Sequence, residues 1–254
     1  MHAPKIMFFG DPHGAFAPIT DAVQRYRPEA IVLLGDLQPP RPLHLELSSI
    51  LHQTDVWFIH GNHDTDTDDD FDCLFGSELA KRNLHGIVRN IAGYRVAALG
   101  GVFRQKIWDP AQPPSQAPFR SRDELLRHAR RGRATAHDGW RGGYARKHHS
   151  SIFPDEIDSL SLQSADILVT HEAPSAHPRG FLILDDLAIA LGARLLVHVH
   201  HHETIDYVCP GHTRSTESEE YDDAVLCLQR SLLERPYIKC LVDALAGWSQ
   251  CLGH

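Results

Sequence analysis

Apolar and polar positions fall in blocks along this chain. Five short β-rich runs stand out: residues 5–10 (KIMFFG), 30–35 (AIVLLG), 56–60 (VWFIH), 165–170 (ADILVT) and 194–199 (RLLVHV). Continuous apolar runs of this length predict strands buried on both faces. Residues 16–27 and 42–53 lie between the first three runs and predict helices. The opening is thus β-α-β-α-β, which implies neighbouring parallel strands joined by right-handed crossovers. Residues 87–90 and 94–99 predict two more strands around a turn at Ala92-Gly93. A Pro-rich stretch at 109–118 breaks regular structure. Ser121 and Glu124 have the spacing of a capping box, which predicts a helix over 121–131. Residues 219–234 predict a last helix. The fold class is α/β.

A chain of 254 residues is long enough for one sizeable core, so a single domain is expected. No apolar run approaches the ~18 residues of a membrane span. No basic segment, long apolar stretch and cleavage site opens the chain, and the five cysteines show no C-x-x-C pair. These features predict a cytoplasmic protein with free thiols and no membrane partner. The net charge of −8 argues against a general nucleic-acid coat. Residues 103–151 run the other way, with eleven Lys or Arg against four acids. That basic insert reads either as a solvated surface or as a collar for an anionic substrate. Nineteen histidines are the unusual count, because imidazole serves both as metal ligand and as proton carrier.

The ends of the five apolar runs gather the chemistry: Asp11-x-His13, Asp36, Asn62-His63-Asp64, His171 and His198-x-His200-x-His202. Polar ligands cluster at the carboxyl ends of strands in such sheets. Carboxylate, imidazole and amide oxygen suit first-row divalent metals. The set is too large for one tetrahedral site and large enough for two ions sharing a carboxylate. Paired ions suit phosphoryl transfer, since they hold an attacking hydroxide and the phosphate oxygens together.

Gly10-Asp11-Pro12-His13-Gly14, Gly35-Asp36, Gly61-Asn62-His63-Asp64, Thr170-His171 and the late His-x-His resemble the five motifs of the calcineurin-like metallophosphoesterases. The resemblance covers about residues 5–203. It implies an αββα two-sheet sandwich with a dimetal site at its upper edge. It further implies that Asp11, His13 and a late His hold one metal, that Asp36 bridges, and that Asn62, His171 and another late His hold the second. His63, oriented by Asp64, would protonate the leaving oxygen. The late motif departs from the family's Gly-His-x-His, with Val where Gly is expected in either register. Period-2 alternation turns His198, His200 and His202 the same way. The length of the preceding run favours His200 and His202 as ligands, with His198 as the reserve. From about residue 208 the chain leaves the family pattern and reads as a C-terminal extension.

Smaller features have plain readings. Residues 64–72 (DTDTDDDFD) fail the EF-hand pattern and read as a solvated loop beside the site, or as the cap of a helix. His148-His149 reads as a surface pair, Gly100-Gly101 as close strand packing, and Arg104 and Lys106 as the cations nearest the cleft. The resulting expectation is a dimetal-dependent phosphoesterase using two ions of manganese, iron, zinc or nickel. A metal-bound hydroxide would attack a small-molecule or nucleotide phosphate ester. Two alternatives stand beside it: a nuclease or other phosphodiesterase recruiting nucleic acid through the basic insert, and a non-catalytic binding protein with this fold.

Overall fold

The computed structural model describes residues 5–131, 139–141 and 143–201, and the backbone of two further strands at 205–209 and 225–229. The first three strands, β1 (Ile6–Phe9), β2 (Ala30–Leu34) and β3 (Asp55–Ile59), form a parallel sheet in sequence order. They are linked by α1 (Ala17–Tyr26) and α2 (Leu43–Glu46), and α3 (Asp68–Phe75) follows. The hairpin of β4 (Ile87–Ile91) and β5 (Tyr94–Leu99) opens a second sheet. Then come α4 (Arg122–Arg131), α5 (Pro154–Ser161), β6 (Ile167–Thr170), α6 (Leu182–Leu191) and β7 (Leu195–His198). Strands β8 (Ile205–Cys209) and β9 (Val225–Gln229) complete the order β4-β5-β6-β7-β9-β8.

Side-chain alternation explains the layering. Ile6, Phe8, Val32, Leu34 and Ile59 point between the sheets, against Val96, Ala98, Ile167, Val169 and Val197 of the second sheet. Their neighbours Met7, Phe9, Ile31, Leu33 and Phe58 point outward and are covered by Ile19 and Val23 of α1, Leu43 of α2 and Leu74 of α3. On the far side, Ala97, Leu99, Leu168 and Leu196 meet Leu125 of α4, Ile157 and Leu160 of α5, and Leu184, Leu187 and Leu191 of α6. Strands apolar on both faces thus yield the four-layer αββα sandwich. Among the described residues no helix is long and apolar enough to cross a membrane.

Several expected elements change shape. The predicted helix at 42–53 is helical only over Leu43–Glu46 and continues as turns with Ser48 N–H on Leu45 O and Ile50 N–H on Leu47 O. Ser48 and Ser49 are weak helix formers at the point where it stops. Residues 225–229 (VLCLQ), placed in a helix by the sequence, form β9 between β7 and β8, and the boundary near residue 208 falls inside β8. At α4, Ser121 Oγ does accept the Glu124 N–H, but the Glu124 carboxylate takes the N–H of Arg120. The Asp-rich stretch takes the capping reading rather than the loop: Thr67 and Asp70 form a capping box that starts α3. The β4–β5 turn is as expected, with both Ala92 and Gly93 at positive φ, as a two-residue hairpin loop requires.

Candidate metal centre

The strand ends of both sheets converge at one edge of the sandwich. Asp11 follows β1, Asp36 follows β2, Asn62 and His63 follow β3, His171 follows β6 and His200 follows β7. Asp11, His13, Asp36 and His200 all have positive φ, at 45, 42, 48 and 79°. Non-glycine residues in this region carry backbone strain, and such residues cluster at functional sites. Two glycines make the convergence possible. A Cβ on Gly35 would lie 2.5 Å from His171 Nδ1, and one on Gly61 would lie 2.2 Å from Asp36 Oδ1.

Asp36 sits at the centre and is buried. Its Oδ1 accepts the His63 N–H at 2.8 Å, and its Oδ2 lies 3.4 Å from His171 Nε2. Burial works against ionisation of Asp36, yet the facing His171 holds its carboxyl well below the usual range. His171 Nδ1 donates to the carbonyl of Leu34 at 2.9 Å. That fixes the tautomer and turns Nε2 toward Asp36 Oδ2 and, at 3.3 Å, Asn62 Oδ1. Three acceptors facing one another require a cation or a proton between them. In the metal-free molecule the proton takes that place: burial opposes it, but Asp36 raises His171 to about 10. A backbone carbonyl on the far ring nitrogen is the usual support of a metal-ligating histidine.

The ring of His200 completes the group: ligand atoms of Asp36, His171 and His200 all lie within 4.8 Å of one another. Its Nδ1 is buried and has no hydrogen-bond partner among the described residues. Burial and the neighbouring His171 push the ring down to about 3, so it stays neutral and able to coordinate. These residues fit a divalent ion. The His200 N–H donates to Asp11 Oδ2 at 3.0 Å, joining the first ligand strand to the last. The expected common direction of His198 and His200 does not hold, because β7 ends at His198 and the φ of 79° at His200 breaks the alternation. His198 lies wholly buried and belongs to neither of the candidate ligand groups found among the described residues. His202 lies outside the described residues. His13 stands at the exposed rim, with Nδ1 2.7 Å from Gln38 Oε1 and its ring 5.6 Å from that of His63.

The partner of His63 differs from expectation. His63 Nδ1 lies 2.5 Å from Asp66 Oδ2, three residues on across a 3-10 turn. Burial lowers the imidazole, but Asp66 and Asp36 outweigh it and raise it above its ordinary value. Asp64 does not orient the ring. It is fully buried, its Oδ1 accepting the N–H groups of Leu37 and Gln38 at 2.8 and 2.9 Å and its Oδ2 that of Gly61 at 2.8 Å. Burial and the nearby Asp36 push Asp64 up to about 6. Its place is that of a brace between the loops that follow β2 and β3. The sequence reading also missed Glu172, buried directly after His171, which forms a second candidate group with His200 and His201. Asp66 carried a legible signal, since residues i and i+3 meet on a helical turn. Glu172 carried none beyond its adjacency.

Four of the eleven cations of the basic segment pair with acids outside it. Arg120 pairs with Asp158, Arg122 with Glu156, Arg141 with Asp72, and Arg146 with Asp68. The last two of these pairs join the insert to the acidic α3. Arg146 also donates to the carbonyls of Thr65 and Asp66, so this end of the segment rests on the turn carrying His63. Its helix α4 packs instead in the outer layer. His148 and His149 are not a surface pair. His148 is buried, and the ring of His149 lies 4.7 Å from Tyr144 and 5.1 Å from Phe71. Below them His85 Nδ1 accepts the Gly100 N–H, which leaves Nε2 to donate to Glu156 at 3.0 Å.

One parallel and one mixed sheet, with carboxylates and imidazoles at their shared edge, define the architecture. The sequence matches the model of the calcineurin-like phosphoesterases over residues 4–231, and the chain belongs to that family. It is 42% identical over 202 residues to an uncharacterized protein of Haemophilus influenzae, spanning 80% of this chain and 85% of that one. Among solved structures, TT1561 of Thermus thermophilus shares the fold with a TM-score of 0.52 at 12% identity, over 90% of this chain and 89% of that one.

Proposed function

We propose that the protein is a phosphoesterase that works with two divalent ions and hydrolyses a small-molecule or nucleotide phosphate ester in the cytoplasm. Family membership supports the hydrolase class and a requirement for divalent metal. The observation that carries the finer reading is the convergence of Asp36 Oδ2, Asn62 Oδ1 and His171 Nε2, with the buried His200 Nδ1 beside them and without a hydrogen-bond partner among the described residues. In this reading Asp36 bridges, Asn62, His171 and His200 hold one ion, and Asp11, His13 and, by its place in the sequence, His202 hold the other. Manganese, iron, zinc and nickel all suit this ligand set. Bound ions would lower the pKa of a coordinated water and offset charge on phosphorus. In this reading His63, exposed on one side and held by Asp66, gives a proton to the leaving oxygen. Asp36→Asn in metal-loaded protein tests the reading. The expected result is loss of both ions and of ester hydrolysis; a single ion per wild-type chain, or hydrolysis persisting in excess chelator, overturns it.

A further inference from the structure

One cation at the site is not used by any of these roles. Arg104 follows β5 at the start of the insert and is half-buried. Its Nη1 donates to Ser150 O at 2.8 Å, to Ser151 Oγ at 3.2 Å and to Ser150 Oγ at 3.3 Å. Ser150 Oγ in turn meets Thr65 Oγ1 at 2.7 Å, on the turn that carries His63. The guanidinium is therefore fixed from one side by neutral oxygens. The carboxylates acting on it are Asp66, Glu172 and Asp36, the partner of His63 and two residues of the candidate metal groups. None of them lies within 4 Å of it, in contrast to Arg120, Arg122, Arg141 and Arg146. Nε and Nη2 have no hydrogen-bond partner among the described residues. A partly desolvated guanidinium held by neutral groups, with a two-donor edge left over, is built to take an anion.

We propose that Arg104 binds the phosphoryl group of the substrate through this edge and makes the site selective for phosphate monoesters over diesters. The inference rests on the phosphoesterase reading above. A monoester has three non-bridging oxygens and up to two charges; a diester has two such oxygens and one charge. With two oxygens turned to the Asp36–His171–His200 group, a third remains for Arg104 only in the monoester. The fork geometry matters as well as the charge, so lysine is an incomplete substitute.

The test compares wild type, Arg104→Ala and Arg104→Lys in the manganese-loaded full chain. Phenyl phosphate and bis-p-nitrophenyl phosphate serve as substrates, and inorganic phosphate as the binding probe. Arg104→Ala should weaken phosphate binding and cut kcat/KM for the monoester by about 10- to 100-fold, the loss of charge-assisted hydrogen bonds. The diester should change by less than about threefold on the same grounds. Arg104→Lys should show the same split at smaller size, and it carries the test if the alanine variant fails to fold. Equal losses on both esters, or unchanged phosphate affinity, overturn the proposal. A wild type inactive on both esters overturns the phosphoesterase reading instead. Phosphate affinity then still decides Arg104, supporting it if the variants bind more weakly and refuting it if they bind alike.

Discussion

His63 and Asp66 form an imidazole–carboxylate pair, Nδ1 to Oδ2, at 2.5 Å across a single 3-10 turn. The pair leaves Nε2 as the atom that can carry a proton outward. A proton donor matters most when the leaving alkoxide is a strong base, and its removal costs ~10²–10⁴-fold. His63→Ala should slow hydrolysis of alkyl phosphates on that scale, harm p-nitrophenyl substrates much less, and leave metal content unchanged. Asp66→Asn should show a milder form of the same split, seen by measuring both substrates side by side. Equal slowing of both would place His63 on phosphate charge rather than on the leaving group.

Asp64 should behave differently from Asp66. Its carboxylate satisfies three backbone N–H groups that have been withdrawn from water. Asp64→Ala orphans all three at about 1–3 kcal/mol each, so a loss of at least ~3 kcal/mol is expected. For a chain of this size that is a fall in Tm of roughly 10 °C, readable by calorimetry. A variant that melts like wild type but loses the alkyl-versus-nitrophenyl split would return Asp64 to the role now given to Asp66.

The late histidines separate by single substitution. His200→Ala should release one metal equivalent, because its ring joins Asp36 and His171. His198→Ala should keep the metal and cost stability, since the ring is wholly buried. Metal analysis after gel filtration distinguishes the two, and metal loss from His198→Ala would establish the other register.

The insert should loosen in acid. Burial, then the nearby Arg104 and Lys147, hold His148 at about 4; burial and Arg122 do the same for His149. In the unfolded chain both rings protonate near 6.5, while the folded protein refuses the proton until about pH 4. Their contribution is therefore fully present above pH 6.5 and is lost as pH falls toward 4. Glu156, pushed down to about 2 against its burial by His85 and Arg122, adds a second loss between pH 4.5 and 2. His149→Phe keeps the ring packing and should flatten the fall in Tm between pH 6.5 and 4. An unchanged slope would refute the assignment.

The strands were legible because they are buried on both faces, where an apolar run and a strand coincide. The order of the strand-end polar residues was legible for a related reason: each follows a strand end, and Gly35 and Gly61 mark where backbone must approach Asp36 and His171. What stayed hidden depends on contacts between distant parts of the chain. The charge of Arg141 and Arg146 is spent on Asp72 and Asp68, some 70 residues earlier, so counting charge locally overstated the collar. Residues 225–229 are apolar enough for either helix or strand, and only the open edge of β7 decides for strand. Asp64 reads as one more acid in an Asp-rich run until its three backbone partners are seen.

The order β7-β9-β8 has a consequence for how the protein is made. Strand β7, which ends just before His200, pairs with β9 rather than with the nearer β8. Asp11 meets His200 across 189 residues of sequence. On the ribosome the first sheet can therefore assemble early, while the edge that gathers Asp36, His171 and His200 stays incomplete until residue 200 has emerged, and β7 lacks its outer neighbour until residue 229 has. Contacts this distant slow folding. The nascent chain exposes Asp11 and Asp36 without their final partners throughout that interval, and a cation acquired during synthesis would be held by the early carboxylates alone.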